Sequence, residues 1–470
     1  MADEAGNQFD VLILGAGSGG YACALRAAQL GLSVGLVEKG NLGGTCLHVG
    51  CIPTKALLHA AEVADATRES EQFGVKATFE GIDMAAVNAY KDGVVSRLFK
   101  GLTGLIKGRG ITVIEGFGTL TGPQTVTVTS PGETTDQRRS YSGRHVVLAS
   151  GSYSKSLPGL EIDGTHVITS EQALQLDRVP ASAIVLGGGV IGCEFASVWR
   201  SFGAEVTILE ALPRLVAAED EDSSKVLERA FRKRKIAFKT STPFQSVKTT
   251  DAGVAVTVEG GDVLEAEVLL VAVGRGPATD GLGYAEQGIA MERGFVLTDE
   301  RLRTNVPGVF AVGDIVPGLQ LAHRGFQQGI FVAEEIAGLA PATIDESGIP
   351  RVTYSDPEIA SVGLNQAAAV EKYGADQIES LTYDLGGNGK SQILKTSGFV
   401  KLVRRKDGPI VGIHMVGARV GELVGEAQLI YNWEGHAEDV APLIHGHPTQ
   451  TEALGEAHLA LAGKALHAHS

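Results

Sequence analysis

The sequence predicts an α/β chain: two doubly wound units built on parallel sheets, followed by a C-terminal α+β domain. Three observations carry that expectation. A pattern of apolar strand, glycine turn, helix, second strand and acid occurs twice with the same internal spacing. At roughly 100–200 residues per domain, 470 residues suffice for several cores. The C-terminal stretch lacks the glycine pattern and reads instead as short strands and one helix.

In the first unit, Val11 to Leu14 form a short apolar run of the kind buried in a parallel sheet. It leads directly into Gly15, Gly17 and Gly20, spaced as G-x-G-x-x-G. An Ala-rich helix from Tyr21 to Leu30 follows and is closed by Gly31. The strand Val34 to Val37 then ends at Glu38, 23 residues after Gly15. The three glycines serve, in order, the tight turn, the approach of backbone amides to a pyrophosphate, and close packing of helix on strand. The helix N-terminus adds partial positive charge, and Glu38 can accept from ribose hydroxyls.

The second unit repeats this device. Ile184 to Leu186 lead into Gly187, Gly189, Ile191 and Gly192, a helix runs to about Phe202, and Gly203 ends it. Val206 to Leu209 lead to Glu210, again 23 residues after the first glycine. Two matching units imply two dinucleotides, and therefore a relay between two redox cofactors. A carboxylate at Glu210 hydrogen-bonds a free 2′-hydroxyl and repels a 2′-phosphate. The first base after it is Arg214, so the expected nicotinamide cofactor is NAD.

Composition narrows the function classes. Asp and Glu total 55 against 40 Lys and Arg, a net charge of −15, which argues against binding nucleic acid or an anionic membrane. The start, Met1 to Glu4, is acidic and has neither a signal-peptide nor a transit-peptide pattern, and no run of about 20 residues stays apolar. The expected compartment is the cytoplasm. No metal site is expected. Four cysteines do not make a secreted disulfide framework.

Two of those cysteines, Cys46 and Cys51, sit five residues apart beside the first unit. Five residues of regular helix rise about 7.5 Å, whereas a disulfide needs Cα atoms within roughly 7 Å. A bond between them therefore requires a distorted or terminal helical turn, which Gly50 and Pro53 would permit. The other reading of the pair is two buried free cysteines. Cys23 and Cys193, on the fingerprint helices, are read as packing residues, as are Trp199 and Trp433.

The stretch Gly43 to Lys55, Gly-Gly-Thr-Cys-x4-Cys-x-Pro-x-Lys, resembles the redox-active disulfide motif of the flavoprotein disulfide reductases. The resemblance extends over nearly the whole chain. Ala149-Ser150-Gly151-Ser152 is similar to the family's Ala-Thr-Gly-Ser turn, and Thr304 to Asp314 is similar to its second FAD fingerprint, followed by Ala322-His323. His445-Gly446-His447-Pro448-Thr449-Gln450-Thr451-Glu452 is similar to the family's His-Pro-Thr-x-Ser-Glu, with Thr451 in place of Ser.

The resemblance implies that FAD lies on the first fingerprint. Gly15, Gly17, Gly20, Glu38, Lys39, Gly44, Thr45, Lys55, Gly118, Ser150, Gly151, Ser152, Asp314 and Ala322 would hold it. NAD would lie on Gly187, Gly189, Ile191, Gly192, Glu210 and Gly274. Cys46 and Cys51 would be the redox disulfide, with Lys55 and Glu194 paired beside the flavin. His447 would be the base, oriented by Glu452 and reaching the disulfide of the other subunit of a homodimer; His445 would be structural. A His has a pKa near working pH, and a neighbouring Glu can fix its tautomer.

Within the family, Leu47-His48, Cys51 to Leu58 and Glu210 to Arg214 are similar to the branch that oxidises dihydrolipoamide with NAD. No cysteine follows Cys193, which removes the mercuric branch. The missing bases near Glu210 argue against the NADPH-dependent glutathione and trypanothione branches. The branch implies a lipoylated acyltransferase or a glycine-cleavage carrier protein as partner. The rivals are an NAD(P)H-dependent reductase of another disulfide, and a complex-assembly subunit with incidental redox activity.

Expected boundaries are residues 1–150 for the FAD domain, completed by 275–348, then 151–274 for the NAD domain and 349–470 for the interface domain. Only nine residues precede Asp10, so the extra N-terminal lipoyl domain that some members of the family carry is not expected. In the last domain, Val352 to Val362 and Gly398 to Val403 read as antiparallel strands and Val420 to Asn432 as a helix.

Overall fold

The structure is a computed structural model that describes residues 7–132 and 137–468; the acidic start Met1 to Glu4 lies outside them. The chain forms two compact units. One comprises residues 1–56, 85–155 and 274–346; the other comprises 57–84, 156–273 and 347–470.

The first unit is built on a sheet of seven strands among the described residues. Its parallel half runs Thr112–Glu115, Val34–Glu38, Gln8–Leu14, Arg139–Leu148, with Val309–Ala311 paired to the last of these. The strand expected at Val11 to Leu14 is the central one. Val11, Leu12 and Ile13 are completely buried, as a strand covered on both faces requires. The antiparallel hairpin Phe117–Gly122 and Thr125–Thr129 extends the sheet on the far side. The helices Ser18–Gln29 and Ala322–Ile336 lie close together, because a Cβ at Gly329 would run into the Gly19 carbonyl oxygen. That contact holds the start of the second helix near the first glycine turn.

The second unit repeats the parallel plan. Its five-stranded sheet has the order Ile236–Lys239, Glu205–Leu209, Ser182–Leu186, Val268–Val271, Val167–Ile168. A three-stranded antiparallel sheet, Phe244–Thr250, Gly253–Val258 and Val263–Ala266, accompanies it. The C-terminal part of this unit is an antiparallel sheet: Arg351–Thr353, Glu358–Gly363, Ile410–Gly417, Phe399–Arg405, Ile378–Asp384. The helix Val420–Asn432 forms over the residues expected and buries Val420, Leu423, Val424, Ala427 and Ile430.

Two expectations are corrected. The run Val352 to Val362 is not one strand but two antiparallel ones, Arg351–Thr353 and Glu358–Gly363. Tyr354 to Pro357 turn the chain between them, since Pro357 has no N–H to give to a ladder. Trp433 does not pack in the core: it stands at the C-cap of Val420–Asn432 and is 77% exposed. Trp199, Cys23 and Cys193 are buried as expected. Among the described residues no helix is long and apolar enough to cross a membrane.

Candidate active site

The first glycine turn folds on itself. A Cβ at Gly20 would collide with the Gly15 carbonyl oxygen, whereas Gly17 has no neighbour within 4 Å of its Cβ position. One glycine closes the turn and another leaves an open approach to the amides at the start of Ser18–Gln29. Glu38 is tied to the same turn: Oε2 accepts from the Ala16 N–H at 2.7 Å and Oε1 from the Gly40 N–H at 2.8 Å. Each carboxylate oxygen keeps a further lone pair for a hydroxyl.

Beside this turn lies a cavity of about 250 Å³. Gly15, Glu38, Lys39, Gly118 and Ser150 line it, five of the residues that the resemblance assigns to FAD. Gly118 keeps the floor low, since a Cβ there would meet Leu14 Cδ1 at 2.5 Å. Tyr153, Asp280 and Leu282 also line it and carried no sequence signal.

Further along, Ser152 Oγ donates to Asp314 Oδ2 at 2.5 Å, and Arg275 donates to Ser152 Oγ from Nε at 2.7 Å and to the Ser152 carbonyl from Nη2 at 2.9 Å. Three residues from three motifs thus form one polar chain that fixes the Asp314 carboxylate. Ser150 accepts from the buried Tyr284 hydroxyl at 3.0 Å, a partner that sequence reasoning missed. Gly151 takes φ +77°, which turns the chain between these two serines. Ala322 is the first residue of Ala322–Ile336, and Gly274 accepts from the Lys155 N–H at 3.0 Å where the chain returns to the first unit. The open turn, the free acceptor capacity of Glu38 and the adjoining cavity together fit a flavin dinucleotide.

The cysteines stand at a helix break. Gly44, Thr45 and Cys46 belong to the short helix Gly44–His48, Val49 leaves helical geometry at φ −138°, and Cys51 begins the helix Cys51–Arg68. This is the terminal, distorted turn that the spacing required. Gly50 is needed there, because a Cβ would sit 2.9 Å from the Thr45 carbonyl oxygen and 3.3 Å from Cys46 Cα. Pro53 falls in the first turn of Cys51–Arg68, where its missing N–H costs no intrahelical bond. Both cysteines are partly buried and are not joined in a disulfide. A hydrogen bond with Cys51 is the largest cause raising the Cys46 thiol well above its ordinary range. Burial adds to it, and the charge of Lys55, one turn beyond Cys51, opposes it.

The second unit repeats the first turn. A Cβ at Gly192 would collide with the Gly187 carbonyl oxygen, and Gly189 has no neighbour within 4 Å of its Cβ position. Glu210 Oε2 accepts from the Gly188 N–H at 2.6 Å and Oε1 from the Leu212 N–H at 2.7 Å. Glu38 and Glu210 thus have the same pair of bonds in corresponding places. Ile191 lies in the first turn of Val190–Phe202, the helix capped by Gly189. Glu194, on that helix, is 2% exposed, and its Oε1 accepts from the Tyr354 N–H at 3.0 Å.

Near the C-terminus, His447 Nδ1 lies 2.7 Å from Glu452 Oε1, and Glu452 Oε2 accepts from the Thr449 N–H at 2.7 Å. Burial pushes the Glu452 carboxyl up, but the Thr449 amide and His447 outweigh it and hold it below the ordinary range. The His447 side chain is 76% exposed, open to a reactant. His445 pairs with Glu426 at 2.8 Å and is only 13% exposed.

The sequence profile of the pyridine nucleotide-disulphide oxidoreductases matches residues 9–329, and that of their dimerisation domain matches residues 349–458. The chain is 39% identical to a dihydrolipoyl dehydrogenase of Bacillus subtilis, over 98% of this chain and 99% of that one. It is 38% identical to a leghemoglobin reductase of Glycine max, over 98% of this chain and 88% of that one. Among solved structures, LpdA of Mycobacterium tuberculosis superposes with a TM-score of 0.90 at 26% identity, over 97% of this chain and 99% of that one.

Proposed function

Since the chain belongs to the pyridine nucleotide-disulphide oxidoreductase family, we propose that it oxidises dihydrolipoamide to lipoamide through Cys46 and Cys51 and reduces NAD to NADH. The observation that carries this reading is the hydrogen-bonded Cys46–Cys51 pair at the helix break directly after the first dinucleotide turn.

Glu452 accepts from Nδ1–H of His447, which leaves Nε2 as the free base. His447 Nε2 takes a proton from one thiol of dihydrolipoamide, and the thiolate attacks Cys46 Sγ. The Cys46–Cys51 bond breaks, the bond from substrate sulfur to Cys46 forms, and Cys51 leaves as a thiolate. The second substrate thiol gives its proton to solvent and attacks the substrate sulfur of the mixed disulfide. Lipoamide departs, and Cys46 leaves as a thiol by taking the proton held on His447 Nε2, which is again the free base. The substrate has lost two electrons and the cysteine pair has gained them.

The site suits a dithiol product: a hydrogen bond with Cys51 and burial raise the Cys46 thiol above its ordinary range, and Lys55 supplies a positive field. Bound FAD and NAD supply the two-electron transfer from that dithiol to the nicotinamide. The residues around the first cavity and Asp314 would hold and orient the flavin, and Glu210 would accept from the free 2′-hydroxyl of NAD.

The working form is a homodimer in which His447 serves Cys46 of the partner subunit. The dihydrolipoamide is carried on a lipoylated acyltransferase or a glycine-cleavage carrier protein, and the compartment is the cytoplasm. Thiol titration of the FAD-loaded dimer before and after anaerobic dihydrolipoamide tests the chemistry. A gain of one dithiol per chain is expected. No gain, or an equal gain in Cys51→Ser, would overturn it.

A further inference from the structure

The loop from Ala211 to Asp220 joins the Glu210 carboxylate to the helix Glu221–Lys233, and it lies directly against the second glycine turn. The Val216 N–H donates to the Gly188 carbonyl at 2.8 Å, and Leu215 Cδ2 stands 2.5 Å from where a Cβ of Gly188 would be. Leu212, in the same loop, gives its N–H to Glu210. The loop therefore sets both the turn and the acid. It is strained at its middle: Val216 is β-branched yet has φ +43° and is 4% exposed. Such a conformation persists only where its surroundings hold it.

The holding element is a buried polar network on the C-terminal sheet of the same unit. The Lys401 ammonium donates to Asp220 Oδ1 at 2.9 Å and to Asp222 Oδ2 at 2.7 Å, and the Lys401 and Asp220 side chains are 5% and 3% exposed. Asp220 Oδ2 accepts from the Gln366 N–H at 3.2 Å. Glu219 Oε2 accepts from Ser361 Oγ at 2.6 Å, and Glu219 Oε1 lies 3.3 Å from Arg351 Nε, which also donates to Ser361 Oγ at 3.1 Å. Two successive acids at the loop's end are thus clamped by two bases of the other sheet. A buried ion pair contributes little more stability than well-packed apolar residues would, but it fixes a register.

We propose that Lys401 and Arg351 are positioning residues for the nicotinamide dinucleotide: through Asp220 and Glu219 they hold the strained loop 211–220 that aims Glu210 and the Gly188 turn at the adenosine ribose. This deepens the NAD reading above and rests on it. Affinity for NADH and preference for it over NADPH then depend on the C-terminal domain, acting through Asp220 and Glu219.

Fluorescence titration of the FAD-loaded dimer with NADH and with NADPH tests this, alongside flavin reduction by dihydrolipoamide in the absence of nicotinamide. Lys401→Met should raise the Kd for NADH about tenfold and narrow the gap to NADPH, with flavin reduction unaltered. Lys401→Arg should recover most of the affinity. Val216→Gly relieves the strain that the clamp resists, so added to Lys401→Met it should recover part of the lost affinity, and Arg351→Met should reproduce the loss of preference even if Lys401→Met folds poorly. Folded variants with wild-type Kd values for both nucleotides would overturn the positioning role. Wild-type protein that binds neither nucleotide would overturn the NAD reading, and this inference with it.

Discussion

Replacing Glu452 by glutamine keeps the volume and removes the charge, and the local geometry sets the consequence. The wild-type carboxylate accepts twice, from His447 Nδ1 and from the Thr449 N–H, both at 2.7 Å. A carboxamide has one oxygen. If that oxygen keeps the Thr449 bond, the NH2 group faces Nδ1, which must then be the unprotonated nitrogen. The proton moves to Nε2, and the base is lost. A charge-assisted hydrogen bond is worth about 1.5–3 kcal/mol, so Glu452→Gln should lower kcat about 10- to 150-fold. Glu452→Ala leaves Nδ1 to water, which accepts either tautomer, and should be the less damaging change. The assay is steady-state oxidation of dihydrolipoamide with NAD by both variants. A Glu452→Gln enzyme within about threefold of wild type, or an alanine variant worse than the glutamine one, would refute the tautomer argument.

Three further outcomes rest on the same kind of geometry. Gly192→Ala drives a Cβ into the Gly187 carbonyl oxygen; it should cost about 3 kcal/mol of stability and abolish NADH binding, read by thermal melting and titration. Glu210→Ala leaves the Gly188 and Leu212 amides without their acceptor; it should weaken NADH about tenfold while NADPH binding holds or improves, read as the ratio of the two Kd values. Burial pushes His458 down from 6.5 to about 4. A lowered histidine contributes stability fully above its unfolded pKa of 6.5 and loses it as pH falls toward 4. The loss is at most about 3 kcal/mol, so the melting temperature of wild type should fall across that window, and that of His458→Leu should fall less steeply.

The parts of this molecule legible in the sequence are those where backbone geometry admits few residues. Gly15 and Gly20, with Gly187 and Gly192, sit where a side chain has no room, and the acids that bind the two turns follow at a fixed distance because one strand, one helix and one strand separate them. Gly50 betrayed the helix break between the cysteines for the same reason. The helix Val420–Asn432 showed its apolar face in its own residues. The features that stayed hidden depend on partners far away in the chain. Nothing near Lys401 points to Asp220, and nothing near Tyr284 points to Ser150. The turn at Tyr354 to Pro357 was masked by apolar residues on both sides, which read as one strand. Trp433 was assigned to packing by residue type alone, and only the fold shows that it ends a helix facing outward.

The central claim is that electrons pass from a dithiol at Cys46 and Cys51 to a nicotinamide selected by Glu210. Mixing the FAD-loaded protein with dihydrolipoamide and either NAD or NADP, and following reduced nicotinamide, tests it most directly. Fast appearance of NADH with little NADPH is the predicted result. Absence of turnover with both, together with NADPH-driven reduction of another disulfide, would contradict it.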